Sequence, residues 1–434
     1  MVTDEAQDRE LARIPGGPQP RGRLVAAGMA AVVTGAYAPV AMPILAPALE
    51  RAFGLREGAL GVLLSAAAAG GVCGGLVGGW LADRLGRLRV LRWLVLAAAA
   101  GGLLCAAGSG RWALTLGLVV FGFGQGGLVV AWGSLLSSLY PERRRAGFSA
   151  LLVASAAAGI GFPFLVTPLQ SAYMAGRLPF GAAVGLPFGV AAVALALVAA
   201  VLSTVSGGRD QTPATQTAPP PEREALRPEL IVVALVMLLT ALHGTADGVL
   251  CTWMPRYLTV AFRVHPFPPG WVMSFYSAAY LAGRTGLILL PDRLGRRALL
   301  VLPGLMAGPL CLAGLWSGSF SLTAAAYVAA TLLYGLEYPA LMALASQRFP
   351  SRFATVYGLM NAASVVSVVG VWAAGRWTQA VGSMRPALST AACGFLAFGL
   401  VAAWALMRNG AWKKETPQGQ AEKTPADDAP PEGN

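Results

Sequence analysis

The chain has 434 residues, 56% of them hydrophobic and only 12% charged, with a mean hydropathy of +0.61. Soluble domains carry about 25% charged residues, so this composition excludes a soluble globular protein. The net charge of +12 invites a nucleic-acid reading, which the placement of the charges removes.

A polar, partly acidic tail (1–23) comes first. It lacks the short apolar region and cleavage site of a signal peptide, so the first apolar run is expected to stay as a membrane helix. Crossing a bilayer takes about 20 apolar residues. Twelve runs qualify, at 24–48, 57–81, 91–109, 112–137, 148–173, 180–204, 229–257, 269–290, 298–317, 321–347, 354–375 and 386–407. The expected fold class is an all-α polytopic membrane protein with 12 transmembrane helices in two pseudosymmetric six-helix bundles, 24–205 and 229–407. Between them, 206–228 is rich in Pro, Thr and charge and reads as a flexible cytoplasmic linker. Residues 408–434 form a C-terminal tail.

An even number of spans leaves both termini on one side. With that side cytoplasmic, 23 Lys and Arg fall in inner segments or the span ends beside them and 8 at the outer side, with Arg284 left over inside a span. This is the positive-inside bias that orients helices during insertion. The basic balance therefore reports topology: no nucleic-acid partner is expected, and the location expected is the bacterial inner (plasma) membrane. Cys73, Cys105, Cys251, Cys311 and Cys393 all fall in predicted spans without metal-ligand spacing and read as small core residues. No metal or organic cofactor is expected.

The pentapeptide "DRLGR" occurs at Asp83–Arg87, after the second span, and again at Asp292–Arg296, after the eighth. "YPERRRAG" after span 4 and "FPSRFATV" after span 10 align Pro141 with Pro350 and Arg143 with Arg352 at the same offset of 209 residues. Two correspondences at one offset indicate a duplicated six-helix unit.

"GGWLADRLGRLR" resembles the loop 2–3 motif of the major facilitator superfamily in sequence and position. Gly79, Leu81, Ala82, Asp83, Arg84, Gly86 and Arg87 match it, with Leu88 where a basic residue is usual. Asp292, Arg293, Gly295 and Arg296 resemble the weaker copy between helices 8 and 9. The resemblance implies two halves that rock around a midplane site, and a gating role for these residues. A carboxylate favours the positive end of a helix dipole. Span 11 begins near Ala354 on the side of Asp83, and span 5 begins near Gly147 on the side of Asp292. Such contacts would cross the halves and latch the inner face shut, while the arginines also serve as orientation charges.

Span 2 also holds "GGVCGGLVGG", whose glycines form two stripes, 70/74/78 and 71/75/79. Small residues at this spacing allow close helix approach in a membrane, either for ordinary packing or for a sliding face between the halves.

Solute chemistry is expected where polar groups enter spans, because an ionisable side chain there costs roughly 2.5–3.5 kcal/mol on insertion scales. Span 7 carries His243 and Asp247 one turn apart, span 8 carries Arg284 and span 10 carries Glu337. Asp247, then Glu337 and His243, are the proton-coupling candidates. An acid whose charge is costly to hold in a low-dielectric cavity suits reversible protonation. Asp247 has no obvious partner other than His243. Arg284 and Glu337 lie at similar depth and read as a structural ion pair, or else Arg284 anchors a substrate carboxylate bidentately. The superfamily resemblance implies that helices 1, 4, 7 and 10 line the cavity. On that basis Tyr37, Gln125 and Trp132 are substrate-binding candidates from the N-terminal half. From the C-terminal half come His243, Asp247, Trp253, Tyr280, Arg284, Tyr334 and Asn361.

"HGTADGVLCTWMPRYL" resembles the seventh helix of the fucose/glucose proton symporter group through Asp247, Trp253, Pro255, Tyr257 and Leu258, and "YGLEYPALMALASQRFP" resembles its tenth. That group carries acids in its N-terminal half, whereas spans 1 and 4 here have none. The expectation is a secondary active transporter for a small organic solute, a sugar or an organic anion, working by proton-coupled symport. Its partners would be solute, protons and lipid, and the chain would act as a monomer driven by a proton gradient. A proton-driven efflux antiporter is the alternative, although span 4 has no arginine and Phe162 separates Gly161 from Pro163 in span 5. A non-transporting membrane sensor is a further alternative. No phosphate loop, paired metal ligands or nucleophile motif suggests an enzyme. Asp83→Asn should bias the protein towards an inward-open state, and cysteine accessibility at the two cavity mouths checks this; unchanged accessibility would exclude the latch.

Overall fold

The computed structural model describes residues 18–108, 110–139, 144–205, 223–264, 267–289, 296–349 and 353–408, with a few side chains within these ranges, Asp83 among them, left out. Residues 290–295, which include Asp292, Arg293 and Gly295, fall outside the description, as do the side chains of Asp83 and Arg296. The described segments are helical and antiparallel in sequence order. Span 1 comprises α1 (Pro18–Gly35) and α2 (Tyr37–Phe53), followed by α3 (Glu57–Leu85), α4 (Arg87–Ala107), α5 (Arg111–Leu139) and α6 (Arg144–Met174) as spans 2 to 5. A π-helical turn, Gly181–Gly185, leads into α7 (Leu186–Thr204), which completes span 6. The second half holds α8 (Arg223–Phe262), α9 (Phe267–Leu289) and α10 (Arg296–Trp316) as spans 7 to 9. Span 10 is α11 (Phe320–Tyr334) with α12 (Glu337–Arg348), span 11 is α13 (Phe353–Ala363) with α14 (Val365–Val381), and span 12 is α15 (Arg385–Arg408).

Eleven of these spans are both long and apolar enough to cross a bilayer. The remaining one, α9, has 23 residues, long enough to cross at 1.5 Å per residue. The structure bears out the offset of 209 beyond the two motifs. Arg87–Ala107 and Arg111–Leu139 map onto Arg296–Trp316 and Phe320–Arg348 with identical bounds. Tryptophans at both ends of the bundle, including Trp80 and Trp93 at one and Trp112 and Trp316 at the other, are exposed, as expected of side chains at a lipid–water interface.

Among the described residues three spans are broken, and the sequence explains two of the breaks. Pro39 and Pro339 each stand at the third helical position after a Gly-x step, Gly35-Ala36 and Gly335-Leu336. Proline has no N–H to give the carbonyl four residues earlier and its ring crowds that carbonyl, so the helix restarts. The third break, at Ser364, has no proline beside it.

Glycines set the packing inside the N-terminal half. A Cβ on Gly70 would lie 2.0 Å from the Val119 carbonyl oxygen, one on Gly74 1.9 Å from that of Phe123, and one on Gly78 2.9 Å from Gly127 Cα. The 70/74/78 stripe therefore seats span 2 backbone-to-backbone on span 4, within one half. Gly75 of the other stripe faces Asn361 of span 11, across the halves. The halves meet along two antiparallel seams, span 2 on span 11 and span 5 on span 8.

At the face bearing the chain termini, Gly86 of the repeated motif turns the chain from α3 to α4 with φ +93°, a conformation that favours glycine. Arg87 donates to the Ser134 carbonyl at the end of span 4 (3.2 Å). Arg92 donates to Leu202 and Val205 at the end of span 6 (2.9 and 2.6 Å). Cations on the last carbonyls of a helix are favourable, so these arginines fasten neighbouring helix ends. Arg84 stacks over Trp80 instead, 4.1 Å from the ring centroid. Among the cysteines, Cys105 and Cys311 are buried, but Cys73 and Cys393 are exposed and are not core residues.

Gly74→Val should lower the melting temperature in detergent, with a cost of about 1–3 kcal/mol from overpacking. Gly161→Ala, where a Cβ meets nothing within 4 Å, should be neutral or stabilising. Equal melting temperatures for the two variants would refute the backbone-contact account.

Candidate solute and proton site

A cavity of about 460 Å³ lies where the halves meet. Spans 1, 2, 4, 5, 7, 8, 10 and 11 line it, while 3, 6, 9 and 12 stand behind. The N-terminal half offers neutral groups there: Ser65, Gln125 and Ser155 among apolar residues. Gly35, beside the break in span 1, makes room for Gln125, since a Cβ there would come within 2.8 Å of Gln125 Cγ. The C-terminal half supplies the charges, Asp247 and Arg284, with Tyr276, Tyr280, Tyr338, Tyr357, Asn361 and the Ser364 and Ser367 hydroxyls.

Asp247 is held by two phenols. Tyr276 donates to Oδ1 at 2.9 Å and Tyr280 to Oδ2 at 3.1 Å. The sequence expectation of His243 as its partner is corrected: His243 Nε2 lies 3.2 Å from the Tyr280 hydroxyl, one step further back. His243 Nδ1 lies 2.8 Å from Glu337 Oε2. This corrects a second expectation, because Glu337 pairs with His243 and not with Arg284. Equal depth misled here: the restart of span 10 at Glu337 turns its carboxylate towards span 7. Arg284 instead stacks on Tyr280, 3.9 Å from the ring centroid, and donates to the Leu152 carbonyl of span 5 at 2.8 Å. Its Nε has no partner among the described residues.

Of the sequence candidates, Gln125, Asp247, Tyr280, Arg284 and Asn361 share the cavity wall. His243 and Glu337 are buried behind it, at 4% and 0% exposure. Tyr37, Trp132, Trp253 and Tyr334 do not line it. Tyr37 is wedged edge-on between Phe162 and Phe188, and Trp132 fills the hollow over Gly28. Trp253 donates to the Val371 carbonyl at 3.0 Å, and Tyr334 stacks on Phe395. These four are core residues; a large aromatic in a span reads the same in sequence whichever way it points.

Sequence reasoning missed a polar lock at the face opposite the termini. Arg256, at the end of span 7, pairs with both Glu50 of span 1 and Glu57 of span 2, the latter at 2.9 Å. Gln379 of span 11 accepts from the Gly58 N–H at 3.3 Å. These contacts tie the two halves together at that face. Each residue sits at a span end and passes for a loop charge, so only the presence of two acids, Glu50 and Glu57, at the same side as Arg256 could have signalled it. Among the described residues on the other side of the cavity, Val130 and Leu152 share one apolar cluster with Leu341, Met342 and Met360 across the halves.

Two helical halves thus enclose a partly charged cavity where they meet. The Major Facilitator Superfamily family model matches residues 25–261 and 236–429, and the chain belongs to that superfamily of transporters. Among solved structures it is similar to the E. coli fucose:proton symporter FucP (TM-score 0.65, 16% identity, 88% of this chain and 98% of that one). It is also similar to the proton:xylose symporter XylE bound to 6-bromo-6-deoxy-D-glucose (TM-score 0.69, 15% identity, 89% and 95%). Both likenesses concern the fold alone. A Haemophilus influenzae protein named for metabolite transport is 35% identical over 100 residues, 23% of this chain and 25% of that protein. The facilitated glucose transporter member 8 of solute carrier family 2 from Bos taurus is 33% identical over 150 residues, 32% and 31%. The matched stretches thus span about a quarter to a third of these relatives.

Arg256→Met should raise labelling of cavity residue Cys251 by an impermeant maleimide added from the face opposite the termini. The assay uses a background with Cys73 and Cys393 replaced by Ser. Labelling equal to that of the parent would exclude the lock.

Proposed function

We propose that this transporter carries a small polyhydroxylated solute, a sugar or sugar-like compound, together with a proton. The observation that carries the reading is Asp247, a carboxylate in the cavity wall held by two tyrosyl hydroxyls and backed by a buried His–Glu pair. A carboxylate so placed can bind a proton beside the solute. The tyrosines, Gln125, Asn361 and the serine hydroxyls supply neutral donors and acceptors on both sides of the cavity, which suits many-hydroxyl recognition. The fucose and xylose proton symporters among the fold neighbours and the glucose transporter among the relatives support the same direction. The termini face the cytoplasm in this reading, as the positive-inside bias favours, and the chain works as a monomer in a bacterial inner membrane.

Arg284 favours a second reading. Its guanidinium reaches the cavity with an Nε unpartnered among the described residues, and guanidinium binds carboxylates bidentately. An organic anion would use that group, whereas a neutral sugar would leave it tied to Leu152.

Purified protein screened by thermal shift against sugars, mono- and dicarboxylates, amino acids and cationic drugs separates the readings. Ligand at a hundred times its Kd stabilises by about 2.7 kcal/mol. A sugar hit supports the proposal, an anion hit lost in Arg284→Ala promotes the second reading, and a response confined to bulky cations favours efflux. In proteoliposomes Asp247→Asn should abolish acid-driven accumulation of the hit while sparing exchange of labelled for unlabelled solute. Equal loss of both would remove Asp247 as the coupling site.

A further inference from the structure

Four side chains, two in the cavity wall and two buried behind it, form one continuous path. It runs from Asp247 Oδ2 to the Tyr280 hydroxyl (3.1 Å), on to His243 Nε2 (3.2 Å), and from His243 Nδ1 to Glu337 Oε2 (2.8 Å). Its first member lines the cavity, while its last is fully buried and has one carboxylate oxygen, Oε1, without a partner among the described residues. Both imidazole nitrogens are engaged. The rings of Tyr334, Tyr338, Phe395 and Phe398 surround the imidazole at centroid distances of 6.0, 6.0, 5.9 and 6.1 Å. A plain structural ion pair would need neither the second nitrogen contact nor the link to a cavity acid.

We propose that Glu337 is a second proton-binding position, remote from the solute and filled from Asp247 through Tyr280 and His243. This deepens the proton-coupled reading above and rests on it. The transfer balances without any outside group. The proton on Asp247 Oδ2 passes to the Tyr280 oxygen as the Tyr280 hydroxyl hydrogen passes to His243 Nε2. The hydrogen on His243 Nδ1 passes to Glu337 Oε2. Asp247 ends as the anion, Glu337 as the neutral acid, Tyr280 as a phenol donating to Asp247 and His243 as the other neutral tautomer. Every hydrogen bond survives with its direction reversed. A proton parked on Glu337 leaves Asp247 charged and free to hydrogen-bond the solute, which a single shared carboxyl cannot do.

Other titratable groups face this path from each packed helix. Span 7 adds Cys251, and span 8 adds Tyr276 and the Arg284 cation stacked on Tyr280. Span 10 adds Tyr327, Tyr334 and Tyr338, and span 11 adds Tyr357. From span 12, among the described residues, the rings of Phe395 and Phe398 face the path. Arg284 is the one permanent charge among them, and it sits at the cavity end, where it favours the anion on Asp247 once the proton has moved on.

The test is time-resolved infrared difference spectroscopy of the reconstituted full chain after a jump from neutral to acidic buffer, with protons as the only probe. Two carboxyl C=O components should appear, one lost in Asp247→Asn and the other in Glu337→Gln. In Tyr280→Phe, which keeps the ring, the Asp247 component should persist and the Glu337 component should form about a hundredfold more slowly, the scale of losing a positioned proton-transfer group. The persisting Asp247 component shows that the variant is folded. If Glu337→Gln removes no component, Glu337 takes up no proton and the proposal is wrong. If Tyr280→Phe leaves both rates unchanged, the path is wrong. If the wild-type spectrum lacks the Asp247 component, the coupling site itself is wrong, and the proposal falls with it.

Discussion

Lipid offers no hydrogen-bond partner to a polar group, so an ionisable side chain this chain carries into the bilayer core is costly unless it finds one inside the protein. That constraint organises the C-terminal half. Asp247, Glu337, His243 and Arg284 would each be costly alone. They are gathered with four tyrosines at the cavity wall or one residue behind it, where each finds a phenol, a carbonyl or an opposite charge. The cavity lies where it does because that is the place where these needs can be met together. At the far face, where the spans end, one arginine answers two carboxylates from the other half.

The duplication shows how unevenly the two halves meet it. Shifted by 209 residues, Asp247 corresponds to Ala38, His243 to Thr34, Tyr280 to Gly71 and Glu337 to Leu128. The polar path therefore has no counterpart in the N-terminal half, which spends those positions on close packing. The seams between the halves carry the same history. Asn361 reaches over Gly75 on one seam, and at the related point on the other Arg284 reaches the carbonyl of Leu152. A polar arm meets a featureless partner on both seams, and both arms come from the C-terminal half.

The spans were legible because hydropathy acts over about 20 residues and tolerates local error; Arg87–Ala107 and Arg111–Leu139 lie within a few residues of the runs at 91–109 and 112–137. The breaks in spans 1 and 10 were legible in principle, from Pro39 and Pro339, but a hydropathy reading passes over them. Partners were not legible. His243 and Glu337 are 94 residues apart, and their meeting depends on which way α12 faces after its restart. Tyr276 and Tyr280 count as apolar in a span and betray nothing of what their hydroxyls hold. Tyr37 and Trp132 show the converse, aromatic residues whose polar atoms find no partner among the described residues and whose value is volume.

The confinement of charge to one half has an electrical consequence. Among the described residues, no charged side chain from spans 1, 2, 4 or 5 lines the cavity. A membrane potential exerts about 2.3 kcal/mol per elementary charge per 100 mV, and at the midplane it finds purchase only on the C-terminal half. In the rocking cycle that the superfamily resemblance implies, the field would pull on one half's cavity wall and leave the other's indifferent. The voltage sensitivity of such a cycle would then belong to Asp247, Glu337 and Arg284, set against an N-terminal cavity wall that, among the described residues, holds no charge for the field to move.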